Sequence, residues 1–294
     1  FAILDAFPIH VIKQVEIIRG AGSVLYGSGA YSGVINVITE SPTGSGDLIA
    51  VEKGSLNTTR LSLYNHHEIA DWAMSYGLQY YDDKGWNYQG VDEVGVTFSR
   101  TYDKKNVGVF FRLESELWKI EGTHADATFG HIGTLPISSL YQNDASITSK
   151  RSIVDIEYKN ELSEDDSFQL NLTFNRMRND YINPGPQPSY MLAQDYLAEL
   201  SWRSEFTNDL RLITGGSIEN LTGKSAGLNK SSNENITIIP KYNEKWLRAY
   251  LEVSYRFTDS IKLVAGIQVN KPENISANLS KRLSVIYAVT DNLG

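Results

Sequence analysis

A chain of 294 residues with a formal charge of −8 and no broad basic stripe is a poor match for nucleic-acid phosphates. The absence of cysteine removes disulfides and thiolate metal sites, and no run of about twenty apolar residues is available for a membrane-crossing helix. Mean hydropathy is only −0.29, yet 17 Tyr, 10 Phe and 5 Trp supply many rings of the kind that settle where oil meets water.

No charged and apolar leader pattern stands at Phe1, so any signal peptide is expected either to have been removed or to lie outside this sequence. Val15, Ile17 and Ile18 surround Glu16 in a short apolar run, as a buried strand would. Gly20, Gly22, Gly27, Gly29 and Gly33 follow, dense enough to permit positive φ and close backbone approach. Ala30, Val34, Ile35, Val37 and Ile38 then predict a second strand packed inside a small domain. A strand followed by glycines also suggests a phosphate loop. Gly20-Ala21-Gly22 lacks the third glycine of a dinucleotide fingerprint, with Leu25 in its place, and the Walker-like spacing from Gly22 to Gly27 is followed by Ser28 where a lysine is required.

The stretch Val15 to Thr39, VEIIRGAGSVLYGSGAYSGVINVIT, resembles the end of the plug domain of TonB-dependent outer-membrane receptors. In that family a membrane β-barrel follows the plug. The resemblance therefore implies the C-terminal part of a plug over residues 1–42 and barrel strands over 43–294. It also places Glu16 and Arg19 at plug-to-barrel contact positions, and Gly20, Gly22, Tyr26, Gly27, Gly33 and Asn36 in the plug motif.

From Gly46 onward the chain follows period two. Trp72, Met74, Tyr76, Leu78 and Tyr80 alternate with Ala73, Ser75, Gly77 and Gln79, giving one greasy and one wet face. Phe168, Leu170, Leu172 and Phe174 alternate with Gln169, Asn171, Thr173 and Asn175. Leu247, Ala249, Leu251, Val253, Tyr255 and Phe257 repeat the plan. A soluble sandwich can alternate too, but here the wet side carries both signs of charge: Lys119 and Glu121; Asp155, Glu157 and Lys159; Glu199 and Arg203. That suits a wide lumen holding water or a stopper, and it would also suit a solvent-facing sheet.

Tight polar turns are predicted at Ile69 to Asp71, Glu114 to Glu116, Ser163 to Asp166, Thr207 to Asp209 and Thr258 to Ser260, with Thr290 to Asn292 a sixth. Longer connections alternate with them at Asp82 to Lys105, Phe129 to Ser149, Asn183 to Gln194 and Thr222 to Glu244. This asymmetry is that of an all-β transmembrane antiparallel barrel with short periplasmic turns and long external loops. Twelve strands are expected between Asp47 and Val289, with Trp72, Trp118, Tyr158, Phe168, Trp202, Phe206, Tyr255 and Phe257 as an aromatic girdle beside the short turns.

The family barrel has twenty-two strands, so the resemblance implies a piece covering the plug end and about half the barrel, from the outer membrane of a Gram-negative bacterium. The implied activity is import of a scarce solute, foremost a ferric siderophore, energised by TonB through a segment missing here, with outer-membrane lipid and lipopolysaccharide as surroundings. Cobalamin or haem import, or a passive barrel or adhesion protein, are the alternatives. Neither a catalytic arrangement nor a cofactor or metal motif is found, so no enzyme is expected. Trp86, Tyr88, Tyr141, Tyr181, Tyr190 and Tyr242 lie in or beside the long connections, where aromatic faces could receive a solute.

Overall fold

The computed structural model describes residues 6–19, 33–43, 46–91, 95, 97–130, 146–182, 189–229 and 234–288. A short 3-10 turn at Ile9–Val11 leads into strand β1 (Ile12–Arg19), which pairs antiparallel with β2 (Gly33–Thr39) as a separate two-stranded ribbon. Ile17 faces Ile35, Val15 faces Val37 and Ile18 faces Val34, so the two apolar runs do find each other. The expected burial is not found. Ile17 is 64% exposed and Ile35 70%, since two strands alone cannot cover both of their faces.

Twelve further strands form one antiparallel meander. They are β3 (Leu48–Lys53), β4 (Thr59–Ile69), β5 (Trp72–Asp83), β8 (Lys104–Glu114), β9 (Trp118–Gly130), β10 (Ser146–Glu161), β11 (Asp166–Ile182), β12 (Ser189–Thr207), β13 (Leu210–Asn229), β14 (Glu234–Thr258), β15 (Ile261–Pro272) and β16 (Asn278–Tyr287). Between β5 and β8 a small hairpin of β6 (Asn87–Val91) and β7 (Thr97–Thr101) rises from the long connection. β3 and β16 are the edges of the sheet.

All five tight turns within the described residues fall where the sequence puts them. Three share one chemistry, because a hydroxyl at or just beyond the end of the first strand closes the turn. Ser163 Oγ accepts from the amides of Asp165 and Asp166, Thr207 Oγ1 from those of Asp209 and Leu210, and Thr258 Oγ1 from those of Ser260 and Ile261. The sixth expected turn, at Thr290 to Asn292, lies outside the described residues.

The other end of the sheet differs from expectation. β13 and β14 continue through most of the stretch from Thr222 to Glu244, and β12 begins at Ser189, so one of the four long connections is largely a tall strand pair and the described part of another is strand. Their Gly-, Asn- and Ser-rich composition mimics a loop because alternation weakens once both faces meet water. β14 has 25 residues, where about 10 cross a bilayer, so it has ample length to rise beyond the membrane.

The burial of the sheet is inverted relative to a soluble protein. Along β5, Ser75 (0% exposed), Gly77 and Gln79 (2%) are buried, while Trp72, Tyr76 and Leu78 are exposed. Leu172, Leu200, Ile218, Leu247, Leu251 and Ile267 continue the exposed apolar face across five strands. Near the short turns its rings meet one another: Trp118 lies 4.8 Å from Tyr158, Tyr158 6.0 Å from Phe168, Trp202 6.4 Å from Phe206 and Tyr255 6.4 Å from Phe257. Leu172→Arg, in the middle of the apolar face, is expected to destabilise the sheet in lipid vesicles by about 2–4 kcal/mol. Ser217→Arg on the opposite face should change urea stability by less than about 0.5 kcal/mol. Equal costs for the two would remove the lipid-facing assignment.

Candidate functional site

The inner face of the sheet is the one that residues 6–12 and 39–42 cover. Val11 is fully buried against Tyr64 of β4 and Phe110 of β8, with Phe7 and Leu48 packed beside them. Ala6 sits on Ala125 and Ala127 of β9. Small wall residues make this approach possible. A Cβ added at Gly77 would lie 2.5 Å from Val11 Cγ1, and one at Gly108 would lie 1.8 Å from the Ala6 carbonyl oxygen. Those two glycines therefore serve a seat and not a turn.

A polar clasp joins the end of the β1–β2 ribbon to the same wall. The Thr39 hydroxyl donates to Glu121 Oε2 at 2.8 Å and accepts from Arg112 Nη1 at 3.1 Å. Arg112 also holds Glu114 through two nitrogens, at 3.1 and 2.8 Å, and approaches Glu121 at 3.8 Å. Its side chain is only 13% exposed, so these charge-assisted bonds are partly shielded from solvent. The Glu40 amide meanwhile donates to the Val11 carbonyl at 2.8 Å, tying the two covering segments together.

Elsewhere the inner face keeps both signs of charge in contact, as its sequence suggests. Glu52 pairs with Arg60 at 2.8 Å, Asp155 accepts from Thr173 at 2.6 Å, Glu199 accepts from the Tyr250 hydroxyl at 2.9 Å, and Arg248 pairs with Glu219. Among the described residues no cluster of three or more His, Asp or Glu side chains could hold a metal ion.

The sequence-predicted residues are distributed unevenly about this site. Glu16 accepts from Asn36 Nδ2 at 3.1 Å and Gln14 Nε2 at 3.2 Å, both within the ribbon. Arg19 is exposed, and Gly33 takes φ +152 with the Ile18 carbonyl 2.5 Å from where a Cβ would stand. Gly20, Gly22, Tyr26, Gly27 and Tyr141 lie outside the described residues. Trp86 stacks on Tyr102 at 4.9 Å and meets Tyr88 edge-on at 5.9 Å, forming an aromatic knot at the root of the β6–β7 hairpin. Tyr181 and Tyr242 stand on the inner face of the tall strand pairs, the first against Met191 at 3.8 Å and the second over Gly223. Tyr190 is on the outer face, with Arg178 and Lys224 on its ring. Val11, Thr39, Arg112 and Phe110 were not singled out by sequence reasoning. The accessible signal was Gly77 and Gly108 interrupting the wet face of two strands.

A wall that is apolar outside and polar inside, with short turns at one end, tall strands at the other and a chain segment seated on its inner face, defines an outer-membrane β-barrel with an internal plug. No family model matches the chain. The vitamin B12 transporter BtuB of Vibrio cholerae is 26% identical over 282 residues, covering 87% of this chain and 43% of its own length. The BtuB of Vibrio vulnificus is 49% identical over 49 residues, 16% of this chain and 8% of its own length. In fold, the chain is similar to the ferripyoverdine receptor of the Pseudomonas aeruginosa outer membrane, with a TM-score of 0.74 at 13% identity, over 96% of this chain and 46% of that one. The siderophore receptor PiuA of Acinetobacter baumannii gives 0.67 at 12% identity, over 97% and 53%. In sequence and in fold the chain is similar to TonB-dependent outer-membrane receptors of Gram-negative bacteria, and it spans about half the length of the curated relatives it matches.

Gly108→Val is expected to unseat residues 6–12, at an overpacking cost of about 1–3 kcal/mol. Limited proteolysis should then cut near Phe7 several-fold faster while the sheet keeps its heat-modifiable gel mobility. Unchanged cleavage would mean that the glycine is not needed for the seat.

Proposed function

We propose that this protein is a ligand-gated importer, taking a scarce metal chelate across the outer membrane when TonB, acting through a segment outside this chain, moves the plug. The observation that carries this reading is the seating of residues 6–12 and Thr39 on the luminal wall. A passive pore needs no such stopper, and an adhesion barrel has no use for a polar clasp between that segment and the wall. In this reading residues 1–42 are the end of the plug and 43–294 belong to the barrel.

A ferric siderophore is the substrate that the sequence resemblance suggests. Cobalamin is the second reading, favoured by BtuB relatives aligned over most of the chain. Trp86, Tyr88, Tyr181 and Tyr242 are proposed to offer aromatic faces to the solute from the outer end, and Tyr141 is proposed with them on sequence alone. Tyr190 fits this role less well, because it faces away from the lumen. Glu16 and Arg19 are proposed as plug-to-barrel contacts that transport breaks.

Deletion of the gene should abolish uptake of one labelled chelate, ferric siderophore or cyanocobalamin, and leave the other intact. Uptake of both at wild-type rates would sink the importer reading. Glu16→Ala with Arg19→Ala should lower the uptake rate several-fold at unchanged surface binding of solute. Parallel loss of binding and uptake would mark these two residues as structural.

A further inference from the structure

Several bases on the luminal wall near the short turns are held by an acid two positions along their own strand. Arg112 holds Glu114 on β8 at 2.8 Å, Lys159 holds Glu161 on β10 at 3.0 Å, and Arg203 holds Glu205 on β12. The pattern breaks on the next three strands. Around Arg211 of β13, Arg256 of β14 and Lys262 of β15, the positions two away hold Ile213, Ser254, Thr258, Ser260 and Val264, and Asp209 is the single acid. None of these three bases has an ion pair with a described residue.

Register brings the three together. Arg256 stands directly opposite Lys262, and Arg211 directly opposite Ser254, which precedes Arg256 by two on the same face. Like charges directly opposite on an antiparallel pair repel each other. With Ser254, which is 5% exposed, all three line one hollow of about 110 Å³. Glu205 also lines it and feels Arg211, but Arg203 already holds that carboxylate. At roughly 30 Å³ per water the hollow has room for a few waters or for one small oxyanion group. It lies away from β4, β8 and β9, where residues 6–12 and Thr39 are seated.

We propose that Arg211, Arg256 and Lys262 form an exit site at the short-turn mouth of the lumen, taking the carboxylates of a solute that bears two or more of them as it leaves for the periplasm. The planar forks of the two arginines match carboxylate geometry, and Lys262 adds a point charge. A carboxylate between Arg256 and Lys262 turns their repulsion into two attractions. Arg248, farther up the luminal face of β14, is engaged by Glu219 and does not compete. The site rests on the importer reading and deepens it by assigning the sign of the solute: an anionic chelate whose carboxylates are accessible at its edge.

The test uses the purified receptor in mild detergent, titrated by calorimetry at low salt with citrate, inorganic phosphate or glycerol. Citrate should bind at least about tenfold more tightly than phosphate, which offers the three bases a single group, and glycerol should not bind. Raising the salt should weaken citrate binding by about tenfold or more. Arg256→Gln with Lys262→Gln should weaken it by at least about tenfold, whereas the charge-conserving Arg256→Lys with Lys262→Arg should keep it within about threefold. In cells, the glutamine variant should import the ferric siderophore of the deletion test several-fold more slowly at unchanged surface binding, with wild-type cleavage near Phe7 and wild-type heat-modifiable mobility. Citrate binding that survives the glutamine pair, phosphate binding as tight as that of citrate, or no citrate binding by the wild-type receptor would each overturn the exit site and leave the importer standing. So would a deletion strain that loses cyanocobalamin uptake instead, because the periphery of that solute carries amides in place of carboxylates. Uptake of both solutes at wild-type rates after deletion would overturn both.

Discussion

Every backbone amide and carbonyl that enters hydrocarbon must find its partner within the protein, because an unmade bond there costs several kcal/mol. A continuous antiparallel ladder from β3 to β16 meets that demand for every strand except along the outer sides of its two edge strands, and the rest of the architecture follows from it. Strands that must all be paired side by side can use only two faces, so side chains sort by parity. Leu172 and Leu251 turn to one side, while Thr173 and Glu252 turn to the other. A chain obeying this rule has ordinary hydropathy and no apolar segment of helical length, although it is built for a membrane.

The luminal face is then free to be specialised, and the first strands show how. On β4, β5, β8 and β9 the inward positions combine Ser62, Ser75, Gly77, Gly108, Ala125 and Ala127, residues small enough for a second layer of chain to lie on them. Farther along the sheet, inward positions become longer and charged, with Glu199, Glu219 and Arg248 linked across strands. The gradient gives one half of the described wall a seat and the other a hydrated network.

The wall was legible in the sequence because its rule is local. Alternation at Trp72 to Tyr80 and at Phe168 to Asn175 needs no knowledge of the fold, and a hydroxyl before a polar turn, as at Thr207 and Thr258, marks a strand's end by its own chemistry. What was missed depends on neighbours distant in sequence. The stretch from Thr222 to Glu244 reads as loop because Gly223, Ser225 and Asn243 lack alternation, yet β13 and β14 template each other there. The β6–β7 hairpin was hidden in a polar connection in the same way. For the site, Glu121 was noticed only as one charge on a wet face. Its partner Thr39 lies 82 positions away, a separation that no periodicity reports.

The seat and the wall also differ in how they are held, and that difference bears on the proposed transport cycle. The wall is a ladder of many hydrogen bonds that can only be lost together, and in hydrocarbon it has no water to fall back on. The covering segment is held by the burial of Val11 and Ala6 and by the clasp of Thr39 with Arg112 and Glu121. Burying a side chain such as valine contributes about 1.5–3 kcal/mol, and a hydrogen bond to a charged group about as much. If the lumen is hydrated, water can replace the clasp bonds as they open. Work directed at the segment can therefore release it contact by contact while the ladder stays intact, and Arg112, still held by Glu114, remains in place to receive Thr39 again.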